Sequence, residues 1–272
     1  AIPHAAPDLW RRPEVTPLAL NIAVATWIMA LCNHGFWMAA ATVFKGAPLT
    51  LLGMGAAVWA VTFFTLSLVS LPLLHRPLAA ALIVTAAAAS YYQDALGVLI
   101  DREMVRNVMQ TTFAESRHLI TPDYVQTLLF KGILPAALIF WPRLKKVPLR
   151  HLLWRWPLGV ALGFALTIGC LLTDFKAYSA VIREQKQMMG AYQPGATIAA
   201  VFKYSKDQLR GAQAVAQPLG RDATKGSALL AADKPALLIL FVGETARAQN
   251  FGLNGYARDT TPELRARGVI NY

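Results

Sequence analysis

Cysteine is nearly absent from this sequence and charge is scarce: two cysteines in 272 residues, with Asp, Glu, Lys and Arg together making 15% of the chain. Cys32 and Cys170 each lie inside an apolar stretch, where a thiol is a small packing residue. They suggest no disulfide framework and no cysteine metal site, and they say nothing about redox compartment. A Gly-rich phosphate loop, zinc-finger spacing and a basic region with interleaved aromatics are all missing. The net charge of +11 therefore does not point to nucleic acid. No internal repeat is visible and the chain does not start with Met.

Apolar side chains fill the space that charge leaves. They make 56% of the residues and raise the mean hydropathy to +0.41, too oily for an ordinary soluble domain, so membrane spans are expected. The basic residues sit between apolar segments, where they read as topology signals and contacts to anionic headgroups.

Five segments approach the roughly 20 helical residues that cross a hydrocarbon core of about 30 Å. They are Pro17 to Phe44, Leu49 to Leu74, Pro77 to Leu99, Pro122 to Trp141 and Trp156 to Leu172. The first is too long and too unlike a cleavage site to be a signal peptide. Arg11 and Arg12 precede it, Arg76 separates the second from the third, and Arg143, Lys145, Lys146, Arg150 and Arg155 separate the fourth from the fifth. The alternate loops hold Lys45, and Arg102, Arg106 and Arg117 diluted by acids. By the positive-inside rule the N-terminus is cytoplasmic and everything after Leu172 lies on the far side of the membrane.

Between the third and fourth segments no Gly or Pro interrupts Val98 to Thr121, which predicts a continuous helix, about 101–121, on the outer membrane face. Beyond Leu172, residues from Asp174 to about Lys206 mix apolar and charged side chains at helical spacing, as suits the headgroup layer. Ser205 to Pro235 reads as a helical or irregular bridge. Then Ala236 to Val242 forms a short apolar run bounded by Pro and Gly, predicting a central strand of a parallel sheet. Thr261-Pro262-Glu263 has the signals of a helix start, Gly268 of its stop, and Val269 to Tyr272 begins another extended segment. The expected organisation is a transmembrane domain over 1–173, interfacial and bridging helices over 174–234, and the opening of an α/β domain over 235–272.

Three groups of residues could carry chemistry. Glu244 sits just past the carboxyl end of the expected strand, where ligands of open α/β sheets gather; it could ligate a divalent metal, cap the next turn or pair with Arg247. Thr245 beside it has no neighbouring base and is not read as a nucleophile. Asn107, Thr111 and Glu115, spaced by four on the expected outer helix, form a polar stripe that could grip a headgroup bearing an ammonium or serve as a solvated face. Met109 and Phe113 on its other side could anchor the helix in the interface. Within the spans, Asn33, His34, Asp94 and Lys131 are explained by pairing between helices, and Lys131 should face the bundle or snorkel.

Val242-Gly-Glu-Thr-Ala-Arg247, Asn250-Phe-Gly-Leu-Asn-Gly-Tyr256 and Thr260-Thr-Pro-Glu-Leu264 resemble the start of the catalytic domain in the lipid A phosphoethanolamine transferases, the family that includes the mobile colistin-resistance enzymes. Ala89-Ser-Tyr-Tyr-Gln-Asp-Ala-Leu-Gly97, Ile100-Asp-Arg-Glu-Met-Val-Arg-Asn-Val108 and Arg183-Glu-Gln-Lys186 resemble its membrane half, so the likeness covers essentially the whole chain. It implies a mainly α membrane protein: a five-helix transmembrane bundle with periplasmic interfacial helices, carrying an α/β domain of the alkaline phosphatase and sulfatase superfamily. It also implies a monomer in the bacterial inner membrane. The implied reaction moves phosphoethanolamine from phosphatidylethanolamine to a lipid A phosphate, with zinc as cofactor. Glu244 matches the family's zinc-ligand Glu, Asn107, Thr111 and Glu115 match residues associated with the donor, and Tyr178 sits where the family has a Tyr near the substrate pocket. The family's nucleophilic Thr and remaining ligands fall beyond Tyr272, so these residues alone are expected neither to hold catalytic zinc tightly nor to turn over. A different acceptor, such as a periplasmic glucan, lipopolysaccharide core or protein, and a non-enzymatic transport or scaffold protein with Asp94 and Lys131 as pathway residues, are the alternatives.

Overall fold

Thr16 and Pro17 fix the first helix. The Thr16 hydroxyl accepts from the Ala19 N–H at 3.2 Å, and Pro17 takes the first helical position, where its missing N–H costs nothing. In this computed structural model the described residues are 12–145, 148–211, 219–224, 226, 231, 234–235, 237, 239–243 and 246–271. They fall into two units, Ala1–Ala214 and Val215–Tyr272.

The first unit is helical almost throughout. Helix α1 (Pro17–Leu31) gives way to α2 (His34–Val43), and the two are bent by 69° at Cys32 and Asn33, so the first expected span is a broken pair. Asn33 causes and stabilises the break. Its backbone leaves the helical region (φ −136°, ψ 33°), and its side chain donates to the Ile28 carbonyl at 3.0 Å, competing with the helix ladder. Helices α3 (Pro48–Leu68) and α4 (His75–Leu96) follow, and α4 stops at Gly97, whose φ of +64° only glycine adopts without strain.

The fourth expected span is one winding of three pieces, α7 (Pro122–Thr127), a π-helical stretch Leu128–Ile133 and α8 (Leu134–Leu138). The wider π turn disturbs the regular ladder, and the Lys131 carbonyl there is bonded by the Trp27 indole N–H at 3.0 Å. Lys131 is half-buried, within the range its expected position allowed. Helix α9 (Leu149–Leu172) is the fifth expected span. By length and composition α3 and α9 can cross a bilayer, and the α1–α2 pair makes a third if it is one span. Expected spans three and four are helical but miss that measure. His75, Arg76 and the Tyr91-Tyr92-Gln93-Asp94 end dilute α4, and the other is broken into short pieces.

One core cluster joins α1, α3 and α4 through Ile28, Phe63, Leu66 and Ile83; a second joins α2, α3 and the segment after α9 through Phe36, Met54, Tyr178 and Met188. Helix α9 packs chiefly on α3. A Cβ added at Gly163 would lie 2.9 Å from the Phe64 Cα, whereas one at Gly159, a turn earlier, would meet nothing within 4 Å. Close backbone approach at a small residue is how helices associate in lipid, where exclusion of water supplies no drive. Gly163→Val is therefore expected to destabilise the bundle by about 1–3 kcal/mol, and Gly159→Ala to leave it unchanged. Thermal unfolding of the detergent-solubilised chain checks the contrast; equal midpoints for the two variants would reject the close contact.

After α9 come α10 (Phe175–Glu184), α11 (Lys186–Gly190) and α12 (Gly195–Gly211), as the mixed helical spacing predicts. A two-residue parallel bridge, β1 (Glu14–Val15) with β2 (Arg143–Leu144), ties the entry to α1 to the segment before α9.

In the second unit, α13 (Pro262–Ala266) begins after Thr261 and ends before Gly268 at φ +60°, as expected. The strand expected over Ala236 to Val242 is absent among the described residues: Leu237, Ile239 and 240–243 pair with nothing, and Phe241 is 89% exposed. A parallel strand holds its shape only through ladder bonds to neighbours, and no described strand of this unit offers them.

Candidate functional site

Asp101 opens the segment that carries the polar stripe. Its carboxylate accepts from the Met104 N–H at 2.9 Å, capping α5 (Arg102–Gln110), and Glu103 adds a favourable charge in the first turn. The continuous helix expected through Thr121 does not form. Thr111 is extended (φ −78°, ψ 131°), and Thr112 starts a separate turn, α6 (Phe113–Ser116), followed by a 3₁₀ turn Arg117–Leu119. The cause is in the sequence. Thr112-Phe-Ala-Glu115 has the spacing of a capping box, and Glu115 Oε2 accepts from the Thr112 N–H at 3.0 Å, satisfying a donor that a continuing helix would have bonded.

The stripe residues survive the break as neighbours along the chain. The Thr111 hydroxyl donates to the Asn107 carbonyl at 2.6 Å, and Glu115 holds the next turn. All three side chains are exposed, and Glu115 Oε1 makes none of the hydrogen bonds found among the described residues. Val108, Met109 and Phe113, in the same segment, are also exposed, at 66–74%.

Two devices that the sequence reading missed hold this segment. Arg102 Nη1 pairs with Asp207 Oδ2 of α12 at 2.7 Å, and Glu103 accepts from both Arg102 and Arg106 at 2.7 Å. Asp207, then Glu103, raise the Arg102 pKa above its usual value. These side chains are 37–49% exposed, so solvent screens the pairs and they add little to stability. Behind them Tyr91, Tyr92 and Tyr124 pack with ring centroids 5.0–5.4 Å apart, and the Tyr91 hydroxyl meets Thr121 Oγ1 at 2.7 Å. The consecutive tyrosines were the available signal, because a half-buried phenol has an apolar body to pack and a hydroxyl that seeks a partner.

Tyr178 is placed elsewhere. It is 1% exposed, its hydroxyl donates to the Thr50 carbonyl at 3.0 Å, and its ring meets Phe44 edge-on at 6.2 Å. A Cβ at Gly53 would fall 2.2 Å from its hydroxyl, so the glycine makes room for it. Asn33 forms a second buried knot: its amide donates to the Gln193 carbonyl at 2.8 Å and its Oδ1 accepts from the Gln193 N–H at 2.7 Å. Asn33 thus finds a partner, but in the turn between α11 and α12 rather than on another span helix. Tyr192 beside it bonds Thr62 at 2.8 Å, and burial pushes its phenol up to about 12. His34 is exposed, and Asp94 is exposed with Oδ1 3.2 Å from where a Gly35 Cβ would stand.

Glu244 and Thr245 lie outside the described residues. Among the described residues no three His, Cys, Asp or Glu side chains stand close enough to share a metal ion, so those residues do not fit zinc by themselves.

Residues 58–209 match the family model described as phosphoethanolamine transferase EptA/EptB. The chain is 33% identical over 274 aligned residues to phosphoethanolamine transferase EptA of Escherichia coli K12, covering 97% of this chain and 49% of that protein. It is 27% identical to the Escherichia coli phosphatidylethanolamine transferase Mcr-1, covering 97% and 50%. Among solved structures, the integral membrane lipooligosaccharide phosphoethanolamine transferase A of Neisseria meningitidis superposes with a TM-score of 0.79 at 28% identity, over 94% of this chain and 48% of that one. The chain spans about half the length of the curated relatives it matches. Its mostly helical fold matches the membrane portion of that structure, and with the family match across more than half its length it is a membrane protein of the EptA/EptB phosphoethanolamine transferase family.

Proposed function

We propose that the protein transfers phosphoethanolamine from phosphatidylethanolamine to a lipid A phosphate, and that these residues supply its membrane-embedded, donor-side part. One observation carries the reading: an exposed amide, hydroxyl and carboxylate, at Asn107, Thr111 and Glu115, lie in one short segment with the exposed apolar Val108, Met109 and Phe113. A zwitterionic phospholipid presents the matching halves, an ammonium for Glu115 and acyl chains for the apolar side chains. In the reaction the phosphorus–oxygen bond to diacylglycerol breaks, a bond to an oxygen of the acceptor phosphate forms, and the diacylglycerol oxygen takes up a proton. The ammonium travels with the transferred group, so holding it holds the reacting phosphate in place. A lipid A phosphate so covered attracts cationic peptides less, and polymyxin resistance follows.

The finer architecture belongs to the same proposal. The α1–α2 pair, α3, α4, the α7–π–α8 winding and α9 are taken as five crossings of the bacterial inner membrane. The N-terminus is then cytoplasmic, and α5, α6 and all that follows α9 are periplasmic. Tyr178 acts as a positioning residue, fixing α10 on α3 through Thr50. Residues from 235 onward open an alkaline phosphatase-like domain, and Glu244 is a ligand of the zinc ion such a domain would use to stabilise phosphoryl charge.

The test is a transfer assay with the full-length protein in proteoliposomes holding phosphatidylethanolamine and lipid A. Equal amounts of modified lipid A and diacylglycerol are expected. Diacylglycerol without modified lipid A would reject the acceptor, and neither product would reject the reaction.

A further inference from the structure

A cavity lies away from the polar stripe, at the end of the bundle where the basic residues gather. It measures about 430 Å³ and opens between the start of α1, the end of α3 and the first half of α9. Its floor is neutral and polar: Asn21 Nδ2 donates to Ser70 Oγ at 2.8 Å, and Asn21 Oδ1 meets His75 Nε2 at 2.7 Å. Its rim carries two cations, Lys145 and Arg155, and no acid lines it. Among the described residues neither cation has an ion-pair partner. Its outer wall is Leu158 and Leu162, 69% and 44% exposed on α9, which continue from the cavity onto the lipid-facing side of that helix.

We infer that this cavity binds one anionic phospholipid, with the phosphodiester between Lys145 and Arg155 and an acyl chain along Leu158 and Leu162. Charge decides the class of ligand. Two cations with no carboxylate in the cavity lining attract a net negative headgroup and leave the ammonium of a zwitterionic one facing like charge. The site thus differs from the stripe, where Glu115 supplies an acid and Arg102 and Arg106 are paired with acids. The apolar wall favours a lipid over a free anion, because a small phosphate would leave those leucines uncovered. The starts of α1 and α9 both border the cavity, and their N-terminal dipoles add to the positive potential. Gly159 keeps the cavity open, since a side chain there would project into empty space.

The experiment is native mass spectrometry of the full chain, released from micelles doped with equal phosphatidylglycerol and phosphatidylethanolamine of matched acyl chains. The wild type is expected to retain phosphatidylglycerol over phosphatidylethanolamine by about tenfold, equivalent to about 1.4 kcal/mol. Lys145→Gln with Arg155→Gln should bring the ratio to about one, while Lys145→Arg with Arg155→Lys should keep it. Gly159→Leu fills the cavity with both charges intact and should also abolish retention, so the inference is decided even if the double variant fails to fold. An unchanged ratio in the neutralised or the filled variant would overturn it. So would displacement of bound phosphatidylglycerol by inorganic phosphate alone, which would mark a free-anion site.

Discussion

Replacing Asn33 by leucine is expected to lower the unfolding midpoint of the detergent-solubilised chain by on the order of 10 °C. Leucine is nearly the same size, so packing volume is conserved and the loss is one of hydrogen bonds. Asn33 donates to the Ile28 and Gln193 carbonyls and accepts from the Gln193 N–H, all within 3.0 Å and buried. Gln193 is 0% exposed, and its side-chain Nε2 already lacks a partner, so its orphaned backbone groups would have no water to turn to. Two unsatisfied buried groups at about 1–3 kcal/mol each cost a large fraction of an ordinary stability of about 5–15 kcal/mol. Asn33→Asp, which keeps an acceptor for the Gln193 N–H but turns a buried carboxylate toward the Ile28 and Gln193 carbonyl oxygens, should lose at least as much. A leucine variant within about 2 °C of wild type would show that the bend at α1 and α2 is held by apolar packing alone.

That knot marks the limit of what the sequence discloses. Asn33 is legible as a polar residue inside an apolar run that needs a partner, but its partner lies 160 positions away, and no periodicity connects the two. The same limit hides Arg102 with Asp207 and Tyr178 with Thr50: each partner is fixed by how helices pack, which composition does not encode. Local chemistry reads better. Thr16 with Pro17, Asp101, and Thr261 with Pro262 each mark a helix start. Val98 to Thr121 has no Gly or Pro to stop a helix, yet the Thr112-to-Glu115 spacing by itself stops one helix and starts another. The strand expected after Pro235 is not formed among the described residues, for a different reason. Its apolar run is a property of the segment, but a strand is a property of a pair.

Glu115→Gln in the full-length enzyme is expected to raise the KM for phosphatidylethanolamine about tenfold. The structure gives Glu115 two possible tasks, and this substitution separates them. Glutamine can still accept from the Thr112 N–H, so the capping box and the break after Thr111 are preserved. It cannot offer an ammonium a negative charge. A fully exposed ion pair contributes up to about 1 kcal/mol, and a hydrogen bond to a charged group about 1.5–3 kcal/mol. A contact in the headgroup layer falls between these, near the 1.4 kcal/mol that makes a factor of ten. Glu115→Ala removes cap and charge together and should lose more, in thermal stability as well as in KM. An N-acetylated donor gives an independent readout, because it has no ammonium. The wild type should discriminate against it by about the same factor, and Glu115→Gln should treat the two donors alike. If the glutamine variant keeps the wild-type preference for the free amine, Glu115 is only a helix cap, and recognition of the ammonium must come from residues outside the stripe.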